Sequence, residues 1–355
     1  ALSSSRAAFS TTAPLDLYSP TEEHQALREM LRSFVAQKVE PQALEFNRAE
    51  KFNVDLFREL GELGLLGITV PEKYGGSGMD ALAAVIAHEE LSSSDPAFCL
   101  SFLAHSMLFA NNLARNGNDA QCAKYVGLFP VVDWSIGDLA CLYLPAASSG
   151  EAICGMAMSE PAVGTDVLSM KTTAVKRGDE YILNGTKMWI TNGAINDTDL
   201  GDTFLVYART GNSGNAREDF SSFIVEKGFE GFSLGQRIKD KCGMRASMTA
   251  ELVFENCRIG KEGSAVLCMM RNLEIERVTL AAMSLGIARR SIEVMNAYAK
   301  QVADRAIQTL GGYGYVGEYN VERLWRDSKL LEIGGGTNES HHKNMSRDLL
   351  RVDRL

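Results

Sequence analysis

The sequence has few of the residues from which several kinds of functional site are built. Its seven cysteines contain no Cys-x-x-Cys pair, which argues against a disulfide framework and against a structural zinc site. Its five histidines include one close pair, His341-His342, and no HExxH motif, so we predict no metal. Basic residues are in the minority: 36 Lys and Arg face 45 Asp and Glu, and the net charge of −9 disfavours binding to nucleic acid.

Long uninterrupted hydrophobic runs are scarce as well. Residues 126–147 have the length of a membrane span, but Pro130, Asp133 and Asp138 interrupt them. Each central carboxylate would cost about 2.5–3.5 kcal/mol in a bilayer, so we predict no membrane span. Residues 1–15 contain one Arg, six Ser or Thr and no carboxylate. This composition is typical of the end of a mitochondrial presequence, and a disordered tail is the alternative.

The hydrophobic pattern changes twice along the chain. We predict a helical N-terminal domain over 16–150, a middle antiparallel β domain over 151–262 and a C-terminal helical domain over 263–355, an α+β arrangement. The first helix should begin at the cap Ser19-Pro20 and end near Pro41. Further helices are predicted at 54–63, 81–91, 101–115 and 266–298. Strands are predicted at 170–175, 180–183, 187–191, 203–207, 220–225 and 250–254.

Five motifs occur in an order that carries more information than any one of them alone. They are MAMSEP at 156–161, NGTKMWITNG at 184–193, CGMRAS at 242–247, QTLGGYGY at 308–315 and IGGGT at 333–337. Together they resemble the acyl-CoA dehydrogenase family. Phrases such as YGGSGM and WITNG are most similar to its isovaleryl-CoA branch.

The resemblance implies FAD-dependent α,β-dehydrogenation of a short branched acyl-CoA. In that branch isovaleryl-CoA becomes 3-methylcrotonyl-CoA in leucine catabolism, in the mitochondrial matrix, and electrons pass to electron transfer flavoprotein. Such a reaction needs a base for the α-proton, hydrogen-bond donors for the thioester carbonyl and an oriented flavin.

The catalytic base is the most informative assignment. Most of the family carries its glutamate just before the Gly-Thr near the C-terminus, and this sequence has Gly335 there. The isovaleryl branch places the glutamate on a helix, which matches Glu276 in the run LEIER at 273–277. An acyl chain covering Glu276 would raise its pKa towards neutrality. The alternative is a solvated helix glutamate beside Arg277.

The other site residues follow from the matched motifs. FAD would be held by Met156, Ala157, Met158, Ser159, Thr165, Trp189, Ile190, Thr191, Thr337, Asn338 and Glu339, and from a neighbouring subunit by Gln308, Gly311 and Gly312. The acyl-CoA would contact Thr165, Glu274, Arg277, Gly335 and Gly336, with the amide of residue 276 or 335 on its carbonyl. His105 is interpreted as a hydrogen-bonded core histidine.

The sequence departs from the family pattern in two places. Residues 126–143 have no counterpart, and the chain lacks on the order of 60 residues near 299–301, room for two helices of about 40 Å each. The lost helices form most of a four-helix bundle and of the homotetramer interface in the family. The alternatives are therefore an inactive shortened member of the family, or a dehydrogenase of another short-chain acyl-CoA.

Overall fold

The computed structural model describes residues 21–116, 143–178, 180–215, 219–259, 263–319, 322–323 and 325. The chain divides into two compact units. One comprises Leu31–Arg290, and the other comprises Ala1–Met30 with Ser291–Leu355. The expected cap Ser19 and the segment 126–142 lie outside the described residues.

The N-terminal helices begin with a long helical run. Helix α1 (Glu22–Phe34) continues through a π-helical turn, Val35–Val39, into α2 (Glu40–Ala49). The Thr21 hydroxyl accepts a hydrogen bond from the backbone amide of His24, so Thr21 caps α1. The prediction that Pro41 ends the helix is wrong. Pro41 lies in the first turn of α2, where its missing N–H is tolerated after a π-turn.

The remaining N-terminal helices include two that match the predicted 54–63 and 81–91 within a residue, a run that begins five residues before the predicted 101–115, and a last helix that was not predicted. They are α3 (Val54–Glu62), α4 (Ala81–Ser92), α5 (Pro96–Leu103) with a π-helical continuation Ala104–Asn111, α6 (Asn112–Asn116) and α7 (Tyr143–Ser149). Side chains of Asn53, Asp80 and Asp95 accept backbone amides at the starts of α3, α4 and α5.

One stretch among the described residues, Pro96–Asn116, is long and apolar enough to cross a membrane, and it differs from the run at 126–147 that has the length of a span. Within its most hydrophobic 18 residues, 89% are buried inside the protein, as in a core helix. His105 lies within it, fully buried. Its Nε2 lies 2.8 Å from the Ala147 carbonyl and its Nδ1 accepts the Cys154 amide, which confirms its role in the core.

Eight strands of the described chain form one sheet. They are β1 (Cys154–Ala157), β2 (Thr173–Arg177), β3 (Glu180–Thr191), β4 (Thr203–Arg209), β5 (Phe220–Glu226), β6 (Phe232–Arg237), β7 (Thr249–Ile259) and β8 (Gly263–Ser264). Their order is β6-β7-β3-β2-β4-β5-β8, with β1 beside β4. Most pairs are antiparallel as predicted, but β1 and β2 both pair with β4 in parallel. Strand β3 unites two predicted strands, because β7 pairs along nearly all of it.

A single helix, α8 (Ala265–Leu310), follows the sheet. It runs without interruption through residues 299–301, where the sequence departs from the family pattern. Two 3₁₀ turns follow, Gly311–Tyr315 and Gly317–Tyr319. The order of helical, mainly antiparallel β and helical parts confirms the predicted fold class.

The first half of α8 is fastened to α4 at three successive points. The Ser92 hydroxyl donates to the Met283 carbonyl at 3.0 Å. Gly286 allows the two backbones to approach, since a Cβ built there would lie 2.2 Å from the Glu89 carbonyl oxygen. Buried Arg289 then bridges the carboxylates of Glu89 and Glu90, each at 2.6 Å. These contacts fix the segment of α8 that carries Glu276.

Candidate active site

A bulge in β3 leaves a tryptophan exposed on the sheet. The pairing of β3 with β7 shifts register between Lys187 and Ile190. Within this shift Trp189 adopts a φ of 66°, in the left-handed region that a bulky side chain rarely occupies. Its indole is 59% exposed, whereas Ile190 is buried and Thr191 half-buried. The bulge therefore presents a flat aromatic side chain outward beside a hydroxyl.

A buried ion pair supports the segment that follows β1. The Lys187 ammonium donates to the Met158 carbonyl at 2.9 Å and to the Glu160 carboxylate at 3.0 Å. The same carboxylate accepts the backbone amides of Lys171 and Thr172. The Ser159 carbonyl accepts the Met188 amide at 2.9 Å. Residues 158–160 are thus held directly behind the bulge.

Burial shifts the protonation equilibria of this pair. It lowers the pKa of the Lys187 ammonium to about 8, although the Glu160 carboxylate opposes the shift. Burial alone would raise the pKa of Glu160, but hydrogen bonds from Thr172 and Lys171 and the Lys187 charge lower it overall. The pair is consequently ionised at neutral pH, with both charges satisfied.

The bulge is also tied to the N-terminal helices. Asn192 has a φ of 60° and is buried, and its amide nitrogen donates to the carbonyls of Ser101 and Cys154 at 3.0 Å each. Its backbone amide donates to the Met248 carbonyl. The strained backbone around Trp189 is therefore held from both sides.

The proposed base lies on α8 where that helix packs against the segment after β1. Leu273 packs on a core cluster that contains Met158, and Asn272 approaches Met156. Glu276, one turn later, is half-buried. Burial raises the pKa of the Glu276 carboxyl above its ordinary value, and the charge of Arg277 opposes this only in part. Such a carboxylate is a stronger base than a solvated glutamate.

The remaining predicted residues differ in how they are placed. Glu274, Arg277 and Thr165 are exposed, and nothing lies within 4 Å of a Cβ built on Gly164. Gln308, Gly311 and Gly312 are exposed in the unit that contains Ser291–Leu355. The predicted residues Gly335, Gly336, Thr337, Asn338 and Glu339 lie outside the described part of the chain.

These groups suit a flavin. An isoalloxazine ring needs a flat apolar surface and a few hydrogen-bonding groups at its edge. The exposed indole of Trp189, the hydroxyl of Thr191 and the fixed backbone at 158–159 meet both needs. These side chains and backbone groups therefore fit FAD, the cofactor that the motifs imply.

Reading the motifs did not identify the supporting residues Lys187, Glu160, Asn192 and Arg289. A signal did exist for two of them, because Lys187 and Glu160 are the single charged residues of motifs that are otherwise uncharged. Buried charges are paired in proteins, so the two could have been matched to each other. Asn192 and Arg289 have no comparable sequence signal.

Comparison with known proteins gives a consistent result along the chain. Family models match in order: the acyl-CoA dehydrogenase N-terminal domain at residues 21–129, the middle domain at 155–257 and the C-terminal domain at 299–350.

Individual relatives agree with these matches. The mitochondrial isovaleryl-CoA dehydrogenase of Arabidopsis thaliana is 34% identical and covers 99% of this chain and 97% of its own length. The short-chain specific acyl-CoA dehydrogenase of Clostridium acetobutylicum is 31% identical over 94% of this chain and 100% of its own. A chain in the solved structure of an electron transferring flavoprotein of Acidaminococcus fermentans has a TM-score of 0.66 and 30% identity. The match covers 93% of this chain and 98% of that chain.

Proposed function

Because the chain belongs to the acyl-CoA dehydrogenase family, we propose that it oxidises the Cα–Cβ bond of isovaleryl-CoA to give 3-methylcrotonyl-CoA. The family makes it an oxidoreductase of the CH–CH group of acyl-CoA, with FAD as its cofactor. The branched acyl group, the single residues of the site and the cellular role are our own assignments. The observation that carries the proposed reaction is that Glu276 is half-buried beside the segment after β1.

Glu276 acts as the base in this proposal. Its carboxylate takes the α-proton and becomes a carboxylic acid, and the electrons of that C–H bond form the Cα=Cβ double bond. When bound, FAD supplies the acceptor that takes the β-hydrogen with its electron pair. Burial supports the assignment, because the raised pKa of Glu276 brings its proton affinity closer to that of a weak carbon acid.

The residues around the base would bind and orient the two molecules. Trp189, Ile190 and Thr191 would pack on the flavin ring, and the backbone of Met156, Ala157, Met158 and Ser159 would line its edge. Thr165, Glu274 and Arg277, which are exposed, would contact the CoA portion. Gly335 and Gly336 would leave room for a branched acyl chain, and Thr337, Asn338 and Glu339 would complete the FAD site.

Two observations favour a short branched substrate. Gly335 cannot act as a base, which leaves the α8 glutamate for that role, as in the isovaleryl branch. The Arabidopsis isovaleryl-CoA dehydrogenase also aligns with nearly the whole chain. Since the Clostridium short-chain dehydrogenase is almost as similar, another short acyl-CoA is the alternative substrate.

The wider role follows from the same relatives. Electrons would leave through an electron transfer flavoprotein, in line with the similarity to the Acidaminococcus chain. The mitochondrial name of the Arabidopsis relative and the presequence-like leader support a place in the mitochondrial matrix and in leucine catabolism. Gln308, Gly311 and Gly312 would reach the FAD of a neighbouring subunit in a homotetramer.

A second candidate function is that of an inactive shortened member of the family. The alignment with the Arabidopsis relative has 423 positions, 68 more than the 355 residues of this chain, so it must open gaps here. Such gaps would remove part of the C-terminal bundle. This candidate predicts a folded chain without flavin.

Replacement of the base tests the proposal. Glu276→Gln should lower kcat by at least 100-fold, a typical contribution of a general base, with unchanged flavin content. Asp304→Asn, a change to an exposed carboxylate of the same helix, is the control and should leave kcat unaltered. Full activity in Glu276→Gln would overturn the base assignment. A flavin-free wild type would favour the shortened, inactive protein.

A further inference from the structure

We propose that the side-chain amide of Asn272 binds an N–H or O–H group of the flavin or of the acyl-CoA. This inference rests on the proposed function. It assigns a role to a residue that lies outside the five motifs.

Asn272 is buried without a strong hydrogen-bond partner. Its side chain is 3% exposed, and its Oδ1 has no partner among the described residues. Within the described part of the chain its Nδ2 has one contact, the Met156 sulfur at 3.9 Å, and a thioether is a weak acceptor. Exchanging the oxygen and nitrogen by rotation does not help, because one strong polar group remains unpaired in either orientation.

Such an arrangement is rare in folded proteins. Nearly all buried polar side chains have a partner, and an exception indicates that something else supplies the bond. Other buried atoms in the described residues also lack partners, but they differ from Asn272. Ser101, Ser148, Thr172 and Ser247 carry small hydroxyl groups. His88, Asn192 and Arg237 each make a hydrogen bond through another atom of the same side chain.

The position of Asn272 identifies the missing partner as a ligand of this site. Asn272 lies four residues before Glu276, so both side chains leave the same face of α8. It also contacts Met156, in the segment assigned to the flavin. The amide therefore lies one helical turn from the base and in contact with the cofactor segment. Both the flavin, through its ring imide and ribityl hydroxyls, and the acyl-CoA, through its pantetheine amides, offer donors that Oδ1 can accept.

Asn272→Leu removes the amide and keeps a similar volume. With full-length protein we would measure the Kd of FAD after removal and reconstitution, the KM for isovaleryl-CoA, and the Tm with and without FAD. We expect about a tenfold rise in Kd or in KM, which is the loss of one hydrogen bond. The flavin-free Tm should stay equal or rise, because an apolar group replaces an unpaired polar one.

The two binding constants distinguish the possible donors. A higher Kd for FAD identifies a flavin group, and a higher KM for isovaleryl-CoA with an unchanged Kd for FAD identifies a group of the acyl-CoA. Asn111→Leu is the matched control, since Asn111 is equally buried but accepts the Thr69 hydroxyl at 3.1 Å. It should lower the Tm and leave both constants unchanged.

Unchanged Kd and KM in Asn272→Leu would overturn the inference, whatever the Tm. If that variant fails to fold, Asn272→Ala, which adds no bulk, is measured for the same two constants and judged in the same way. A wild-type chain that binds no FAD would overturn the proposed function and this inference together. If the wild type binds FAD and the Asn272 variants keep its Kd and KM, the inference about Asn272 is overturned and the proposed function is not.

Discussion

At the scale of single residues, Glu276 combines two opposing influences on its charge. Burial raises its pKa, and Arg277 lowers it through its positive charge. The first influence is larger, so the carboxyl holds its proton to a higher pH than a solvated glutamate does. The enzyme needs the deprotonated form, so activity should rise as the pH rises through this pKa.

The pH profile can be tested with Arg277→Gln. The wild-type kcat should show an acidic limb above pH 4.5, the ordinary value for glutamate. Removing the Arg277 cation takes away the influence that favours the carboxylate, so the limb should move to higher pH. The measurement is kcat at saturating substrate from pH 5 to 9. A limb that stays in place or moves to lower pH would contradict the assignment.

Lys187 and Glu160 show a second residue-scale effect, in which two charges are buried together. Both side chains are almost fully shielded from solvent. Lys187→Met should destabilise the protein by about 3–5 kcal/mol, because Glu160 would keep a buried charge without its cation. Urea unfolding measures the loss.

The exposed Lys227→Met is the matched control and should change stability by less than about 0.5 kcal/mol. Glu160→Gln combined with Lys187→Met should recover part of the loss, because the uncompensated charge is gone. Equal stability of Lys187→Met and wild type would show that the pair contributes nothing.

At the scale of elements, most helices and strands follow from the local pattern. Helices α3 and α4 lie within a residue of the expected bounds, because their apolar spacing and caps agree. The end of the first helix was misplaced, since a π-turn accommodates Pro41. The bulge at Trp189 could not be predicted, because it depends on the pairing of β3 with β7, a contact between distant parts of the chain.

The attachment of α8 to α4 was likewise hidden from the sequence. Arg289 and Arg290 are adjacent, and the pattern does not tell which is buried. In the structure Arg289 bridges two buried carboxylates, and Arg290 forms a half-exposed pair with Glu40 at 3.0 Å. Of the two arginines, Arg289 is the one that is buried at its contact with α4.

Arg289→Met should therefore cost about 3–5 kcal/mol of stability, because the buried carboxylates of Glu89 and Glu90 lose the cation that bridges them, although Arg32 still pairs with Glu90 at 3.2 Å. Arg290→Met should cost at most about 1 kcal/mol, as exposed ion pairs do. Thermal or urea unfolding of the two variants, side by side, measures the difference. Similar losses in both would show that the Arg289 cluster does not anchor α8.

At the scale of the whole molecule, the motifs predicted the family and the order of the three parts, but not what the chain does at the expected gap near 299–301. The structure joins the flanking segments into one helix. Large apolar side chains on that helix are more than half exposed: Val294, Met295 and Tyr298. Exposed apolar surface of this kind marks a site of association.

The flavin content of the full chain tests the central claim most directly. Gel filtration followed by a visible absorption spectrum, before and after addition of isovaleryl-CoA, is sufficient. The account predicts a bound flavin whose visible absorption bleaches, because Glu276 and the acceptor remove the α- and β-hydrogens together. A folded chain that carries no flavin, or a flavin that isovaleryl-CoA does not bleach, would contradict it.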